Sequence, residues 1–245
     1  MNYQVDINCD VGEGIGNEAE LMPYLSSCSI ACGGHAGNDK TMIETIKLAQ
    51  QHQVKIGAHP SFPDKKNVGR KSVSMPLADL QLSIENQINS VKNHILKLGG
   101  KLHHIKVHGA LYNLSAINSE IAKVVIEAFQ KTAKGSFLYV PYHSVLQKIA
   151  EEKNIKIKKE AFADRNYNSD LTLVSRKKPM ALIIDEKKIV THLLKMIIEK
   201  KVIAVDGVAV KIVAETFCIH GDNPNAKNLL KILCKTLPEN GIKIV

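Results

Sequence analysis

Short β-branched runs alternate along the chain with longer stretches whose apolar residues recur at helical spacing. This is the pattern of βα units feeding a parallel sheet. Seven runs have strand character: YQVDINCDV (3–11), CSIACGG (28–34), VKIGAHP (54–60), HHIKVHG (103–109), SFLYVPY (136–142), IKKEAFA (157–163) and ETFCIHG (215–221). Helices are expected near 39–52, 77–98, 118–133, 143–153, 186–200 and 223–237. Asp39 can cap the helix at 39–52, the Gly99-Gly100 pair ends the long one, and Asn118 precedes SEIAKVVIEAF as a cap. The stretch 202–216 can hold a further short strand or hairpin. Two connections, 61–76 and 164–180, are long and follow strand ends, where ordered loops tend to carry function.

At 245 residues the chain suits one domain over 1–245, since α/β barrels commonly reach roughly 250 residues. The expected architecture is therefore a single-domain α/β barrel. With 44% hydrophobic and 23% charged residues the composition is that of an ordinary globular protein. No apolar run approaches the ~18–20 residues a membrane span needs, so no membrane association is expected. The N-terminus enters strand-like alternation without a basic stretch and an apolar segment behind it, which places the chain in the cytoplasm by expectation. A formal net charge of +9 raises the question of a polyanionic partner. The lysines, however, are spread over helices and turns without a basic stripe interleaved with aromatics, so they read as a solvated surface rather than a nucleic-acid interface. Five cysteines cannot all pair, and Cys9, Cys32 and Cys218 lie in apolar strand runs, so they read as reduced core residues. Cys28 and Cys32 are spaced like metal ligands, but no second pair follows and no structural zinc is expected there.

In barrels, catalytic groups gather where strands end and βα loops begin, because several segments converge there on one water-accessible pocket. The ionisable residues of this chain crowd at those points. The first strand ends in DVGEG (Asp10, Glu13), the second in GGHAGND (His35, Asn38, Asp39) and the third in AHPSFPD (His59, Asp64). The fourth ends in KVHG (Lys106, His108), the sixth in ADR (Asp164, Arg165) and the last in HGD (His220, Asp222). Residues two apart on a strand point the same way, so Lys106 and His108 should share a side, as should His220 and Asp222 if the strand geometry persists. Such a set can do metal-free acid–base work with Lys as an electrostatic clamp, or it can hold a divalent ion. Asp10, His35 and His59 are of ligand types suited to Zn²⁺ or Mn²⁺. Tyr112 in GALYN can donate near His108, although a Tyr opening a helix is the plainer reading. Neither a GxGxxG fingerprint, a Gly-Lys-Ser/Thr phosphate loop nor a GxSxG elbow occurs, which argues against a self-contained P-loop ATPase and against a serine nucleophile.

Taken together, DINCDVGEG, CSIACGGHAGND, GAHPSFPD, KVHGALYN, EAFADRNY and CIHGD resemble the LamB/YcsF family, in the family's order and across essentially the whole chain. The resemblance implies a distorted (β/α)7 TIM-like barrel related to the glycoside hydrolase/deacetylase barrels. It implies ATP-dependent opening of the 5-oxoproline (pyroglutamate) lactam to L-glutamate by a 5-oxoprolinase, of which this chain would be the A subunit working with B and C partner subunits, with ATP as co-substrate. Carried onto this sequence, Asp10, Glu13, His59, Lys106 and His108 are the catalytic candidates: Asp10 or Glu13 as general base, His59 and His108 as acid–base or metal-binding groups, Lys106 as oxyanion or phosphate clamp. His35, Asp164, Arg165, His220 and Asp222 are the substrate-binding candidates, with Arg165 offering a bidentate fork to the substrate carboxylate. Where the family usually reads HAGD this chain has Asn38, and KPHG is KVHG here. Two other readings stand beside this one: a metal-dependent hydrolase or deacetylase acting on a small polar substrate, and a non-catalytic binding subunit of the complex.

Overall fold

The computed structural model describes residues 3–223 and 225–245. In chain order, β1 (Tyr3–Val11), α1 (Glu18–Leu21), β2 (Ser27–Ala31), α2 (Asp39–Gln51) and β3 (Lys55–His59) are followed by α3 (Leu77–Lys97), β4 (His104–Ile105), α4 (Gly109–Ile117) and α5 (Ser119–Thr132). Then come β5 (Phe137–Pro141), α6 (Val145–Glu152), β6 (Ile157–Phe162), α7 (Glu186–Leu194), β7 (Lys201–Ile203), β8 (Ala209–Lys211), β9 (Thr216–His220), α8 (Ala226–Glu239) and β10 (Ile242–Ile244). Strands β1 to β6 and β9 pair in parallel, and β9 returns to β1 through the register Asp6↔Thr216 to Asp10↔His220, closing the barrel. All seven expected strand segments supply its staves. β10 lies parallel to the start of β1, and β7 and β8 form a separate antiparallel hairpin within the stretch where one was anticipated.

Alternation along β1 explains how the barrel is filled. Val5, Ile7, Cys9 and Val11 are buried among the apolar core residues, whereas Asp6, Asn8 and Asp10 project into the barrel. Asp6 Oδ1 accepts from Ser27 Oγ (2.7 Å) and Thr216 Oγ1 (2.6 Å), and Asn8 Nδ2 donates to Thr216 Oγ1 (2.7 Å) and Glu160 Oε1 (3.0 Å). Barrel interiors are commonly filled by branched aliphatics; here the interior is a hydrogen-bonded polar column leading up to the site. His104 fills the space over Gly57, where a Cβ would come within 2.2 Å of its Nε2, and stacks on Tyr139 at 4.0 Å. The apolar core lies outside the barrel, under the helices. Ile84, Ile88, Val91 and Ile95 of α3 recur at spacings of four and three, are fully buried, and α3 packs against α5. Each such side chain contributes roughly 1.5–3 kcal/mol by leaving water.

The helix ends correct one expectation. Asn38, not Asp39, is the cap of α2: its Oδ1 accepts from the Thr41 N–H (3.0 Å) and Thr41 Oγ1 accepts from the Asn38 N–H (2.9 Å). Asp39 is the first helical residue and meets His94 Nε2 at 3.2 Å. Asn in place of the family's Asp at 38 therefore keeps a cap oxygen. Asn118 caps α5 as expected, and Gly99 ends α3 with φ +72°. β4 is shorter than expected, yet Lys106 and His108 remain tied to the neighbouring segment by N–H bonds to the Ala58 (3.1 Å) and Pro60 (2.8 Å) carbonyls. Helix α4 was not anticipated, because GALYNLSAI is apolar around much of its circumference and lacks an amphipathic period.

Candidate active site

The carboxyl end of the barrel opens into a cavity of about 850 Å³. Ladder register places the first residues around its floor: Asp10 on β1 lies opposite His220 on β9, and His59 ends β3. Lys106, 1% exposed, reaches across the barrel, with Nζ 2.7 Å from Asp10 Oδ1 and donating to Asn8 Oδ1 (2.9 Å), Glu160 Oε1 (3.0 Å) and Cys218 Sγ (3.2 Å). Burial alone drives a lysine toward neutrality, but Asp10, Cys218 and Glu160 outweigh it and hold Lys106 well above its ordinary value. Likewise burial raises Asp10, and His59 and Lys106 more than reverse this, so its carboxyl sits well below the usual range. The pair is ionic at neutral pH. Every N–H of Lys106 has a partner, so it serves to hold Asp10 as an anion rather than standing free as a clamp.

The histidine protons follow from their carbonyl partners. His59 Nδ1–H donates to the Lys106 carbonyl (2.7 Å), and His108 Nε2–H donates to the Val68 carbonyl (3.0 Å). A carbonyl cannot donate, so these tautomers are set and the lone pairs of His59 Nε2 and His108 Nδ1 face each other at 2.9 Å. Asp10 Oδ2 lies 3.2 Å from the same His59 nitrogen. Two lone pairs this close require something electropositive between or beside them, a proton or a cation. Glu13 Oε1 continues the chain, 3.4 Å from His108 Nδ1 and 3.0 Å from His35 Nε2, and the His35 and His108 rings stack at 3.7 Å. Burial first, then His59 and His35, pushes His108 well below 6.5; burial also lowers His35, against the opposing Glu13 bond.

A second histidine–carboxylate pair lines the same cavity. Asp164 Oδ1 accepts from His220 Nδ1–H (2.8 Å) and its Oδ2 from the His220 backbone N–H (3.0 Å), which leaves His220 Nε2 available to a ligand. Burial opposes ionisation of Asp164, and His220 outweighs it, lowering the carboxyl. The His220 ring rests on Phe162 at 5.2 Å.

All the residues expected at the site line or adjoin this cavity, but three differ in what they touch. Arg165 is buried and directs Nε to the Ala181 carbonyl (3.1 Å) and Nη2 to the Val174 carbonyl (2.6 Å), so it shapes its own loop and does not present a free fork. Asp222 sits at the mouth between Arg70 Nη2 (2.7 Å) and Arg176 Nη1 (3.1 Å). Tyr112 is buried and lies beside Glu160 rather than at His108; burial and the Glu160 charge push its hydroxyl well above its ordinary value. For a metal, the ligand atoms that converge are Asp10, His59 and His108, with His35 in a neighbouring group with Glu13 and His108. Sequence reasoning passed over Asn8, Glu160, Arg70 and Arg176. The first two carried a signal, being polar residues at inward positions of strands; the arginines lie in the long loops, where no periodicity marks them.

A closed parallel barrel with buried histidine–carboxylate chemistry at its carboxyl end defines a TIM-like α/β barrel protein with an acid–base site. The chain belongs to the LamB/YcsF family, whose model matches residues 5–245. It is 40% identical over 246 residues to the A subunit of 5-oxoprolinase from Bacillus cereus strain AH187, covering 98% of this chain and 97% of that one. Among solved structures it is similar to the lactam utilization protein of Thermus thermophilus, at 32% identity, TM-score 0.91 and 98% coverage of both chains. A putative cellobiose-phosphate cleavage protein of Enterococcus faecalis V583 shares the fold, with TM-score 0.58, 14% identity, and coverage of 100% of this chain and 97% of that one.

Proposed function

We propose that this chain is the A subunit of an ATP-dependent 5-oxoprolinase, which opens the 5-oxoproline lactam to L-glutamate in the cytoplasm together with B and C partner subunits. The observation that carries the reading is the pair of histidine–carboxylate systems, Asp10/His59/His108 and Asp164/His220, facing one cavity in a chain similar over its whole length to proteins named for that activity. A five-membered lactam is a stabilised amide. Opening it requires electrophilic help at the carbonyl oxygen, a base for the attacking water and a proton for the departing nitrogen. His220, held by Asp164 with Nε2 available, is the better base, because Asp10 is too weakly basic while ionically paired to Lys106. Water adds to the carbonyl carbon as His220 takes its proton, the carbon–nitrogen bond breaks, and the same proton goes to the leaving amine. Asp10, His59 and His108 occupy the electrophilic side, and Glu13 with His35 holds His108 in place.

ATP supplies the driving force by phosphorylating the carbonyl oxygen, which makes it a better leaving group. The chain has no phosphate-binding loop of the Gly-Lys-Ser/Thr type, so the nucleotide is handled in the assembly with B and C. The donor set also fits a divalent ion: Asp10 Oδ2, His59 Nε2 and His108 Nδ1 converge, and both imidazoles have their other nitrogen fixed by a carbonyl, as metal-binding histidines commonly do. When bound, such an ion supplies Lewis-acid polarisation of the lactam carbonyl. That same convergence favours the second reading, a metal-dependent hydrolase working without ATP.

The deciding experiment purifies the chain with and without candidate B and C subunits and follows 5-oxoproline-dependent ADP release. Activity only with the full set is expected. Turnover of a small amide or acetylated substrate by the chain alone, without ATP, points to the second reading, and ligand binding with no requirement for the chain in turnover points to a non-catalytic role in the complex.

A further inference from the structure

The two long loops meet at one point on the rim of the cavity. Arg70 comes from the loop after β3 and Arg176 from the loop after β6, and both guanidiniums converge on a single oxygen, Oδ2 of Asp222, two residues beyond the stave position paired with Asp10. None of these placements is loose. Arg70 follows Gly69, whose backbone lies so close to the site that a Cβ there would come within 2.9 Å of both His108 and His35; the carbonyl of Val68 holds His108, and that of Gly69 accepts from Ala110 N–H. Arg176 follows Val174, whose carbonyl is held by Arg165. Asp222 follows Gly221, which packs at 3.0 Å on the Asp10 carbonyl.

Charge at this rim does not balance. Asp164 is matched by His220, and Arg165 is turned to backbone carbonyls, which leaves Arg70, Arg176 and Arg165 around the one carboxylate of Asp222. The ionisation directions agree: burial raises Asp222, but Arg176 and Arg70 pull it down, while burial and then Arg176 bring Arg165 down to about 10. Each of the two rim arginines directs one N–H to Asp222, and both line the cavity. A guanidinium has five donors in a planar fork suited to carboxylate.

We infer that Arg70 and Arg176 form an anion subsite that takes the carboxylate of the lactam substrate, with Asp222 holding the two guanidiniums in register. The inference rests on the lactam reading above and supplies the group that Arg165 does not present. It also gives the two long loops a common purpose, since neither arginine alone brackets the mouth.

The test uses the chain assembled with its partner subunits and compares 5-oxoproline with 2-pyrrolidinone, the same ring without the carboxylate, for wild type, Arg70→Gln, Arg176→Gln and Arg176→Lys. Direct binding of both compounds to the chain is measured by calorimetry, and the fold of each variant by thermal unfolding. Loss of a charged hydrogen bond corresponds to about a 10- to 100-fold rise in KM for 5-oxoproline, with a smaller change in kcat. Binding of 2-pyrrolidinone should be weak in wild type and unchanged in the Gln variants, and Lys should restore part of the loss. Arg→Gln variants that melt lower but keep the wild-type KM and the wild-type preference for the carboxylate would show the arginines to be loop ties only and overturn the subsite. A variant that loses nucleotide coupling with an unaltered 5-oxoproline KM would also overturn it, in favour of a phosphoryl site. Wild-type protein that binds 5-oxoproline neither alone nor in the assembly would instead overturn the lactam reading itself.

Discussion

Replacing Lys106 by Met is the most exposing perturbation of this structure, because it removes the one cation that two buried carboxylates share. Lys106 is 1% exposed and lies 2.7 Å from Asp10 and 3.0 Å from Glu160. Methionine fills most of the same volume, so the cavity contribution is small and the cost is chiefly electrostatic. Breaking a buried ion pair from one side costs about 3–5 kcal/mol, since the partner charge is left unpaired. Against a total stability of roughly 5–15 kcal/mol this is large. At about 2–4 °C per kcal/mol for a chain of this size, melting should fall by roughly 6–20 °C. The cause can be isolated by adding Glu160→Gln: the double variant buries one charge fewer and should recover at least ~1 kcal/mol over Lys106→Met alone. Differential scanning calorimetry with urea unfolding reads both quantities. Should Lys106→Met stay within ~1 kcal/mol of wild type, or the second substitution give no recovery, the buried ionic column is not what stabilises the barrel floor.

Other expectations are independent of that one. Gly69→Ala combines φ +61° with a Cβ 2.9 Å from His108 and His35, so a loss of about 1–3 kcal/mol and a marked fall in turnover should appear together in unfolding and activity assays. Acid should weaken the fold before any carboxylate titrates: burial depresses His104 well below 6.5 and brings His103 and His192 to about 4. These groups stay neutral in the fold but protonate on unfolding, so their contribution is complete above pH 6.5 and is lost as pH falls from there through the folded values. A melting temperature that dropped by several degrees between pH 7 and pH 5, with the drop reduced in His104→Gln, matches this; a flat profile contradicts it. Titration of the apo chain with Zn²⁺ or Mn²⁺ should show about one equivalent bound, abolished by Asp10→Ala or His59→Ala and retained by His35→Ala. Loss in His35→Ala would shift the ligand set toward Glu13 and His35.

The barrel staves were legible because the seven segments combine β-branched content with punctuation by Gly, Pro and Asp, and because charged residues such as Asp10, His59 and His220 mark their carboxyl ends. What the alternation could not say is which face of β1 looks into the barrel. Both faces are buried, one by apolar Val5, Ile7 and Cys9 and the other by Asp6, Asn8 and Asp10, so period two alone does not separate lumen from helix-facing side. For that reason the polar column, with Asn8 and Glu160 as essential partners of Lys106, went unread. Arg165 shows a different limit: its place beside the cavity follows from the strand end, but its hydrogen bonds go to the carbonyls of a loop folded back on it, and no local pattern encodes that return. Arg70 and Arg176 lie in loops separated along the chain by β4, β5 and β6, and only the closed fold brings them together. Short elements were lost for a simpler reason, since α4 has no polar face to set its period and β10 pairs along only three positions of β1.

The central claim is that the histidine–carboxylate systems at the carboxyl end of the barrel open a lactam. Its most direct test is formation of L-glutamate from 5-oxoproline by the chain reconstituted with partner subunits, comparing wild type with His220→Gln and His59→Gln whose fold is intact by circular dichroism. Turnover should fall by about 10²-fold or more in each, as expected when a proton-transfer group is removed. Wild-type rates of glutamate release in both variants would contradict it.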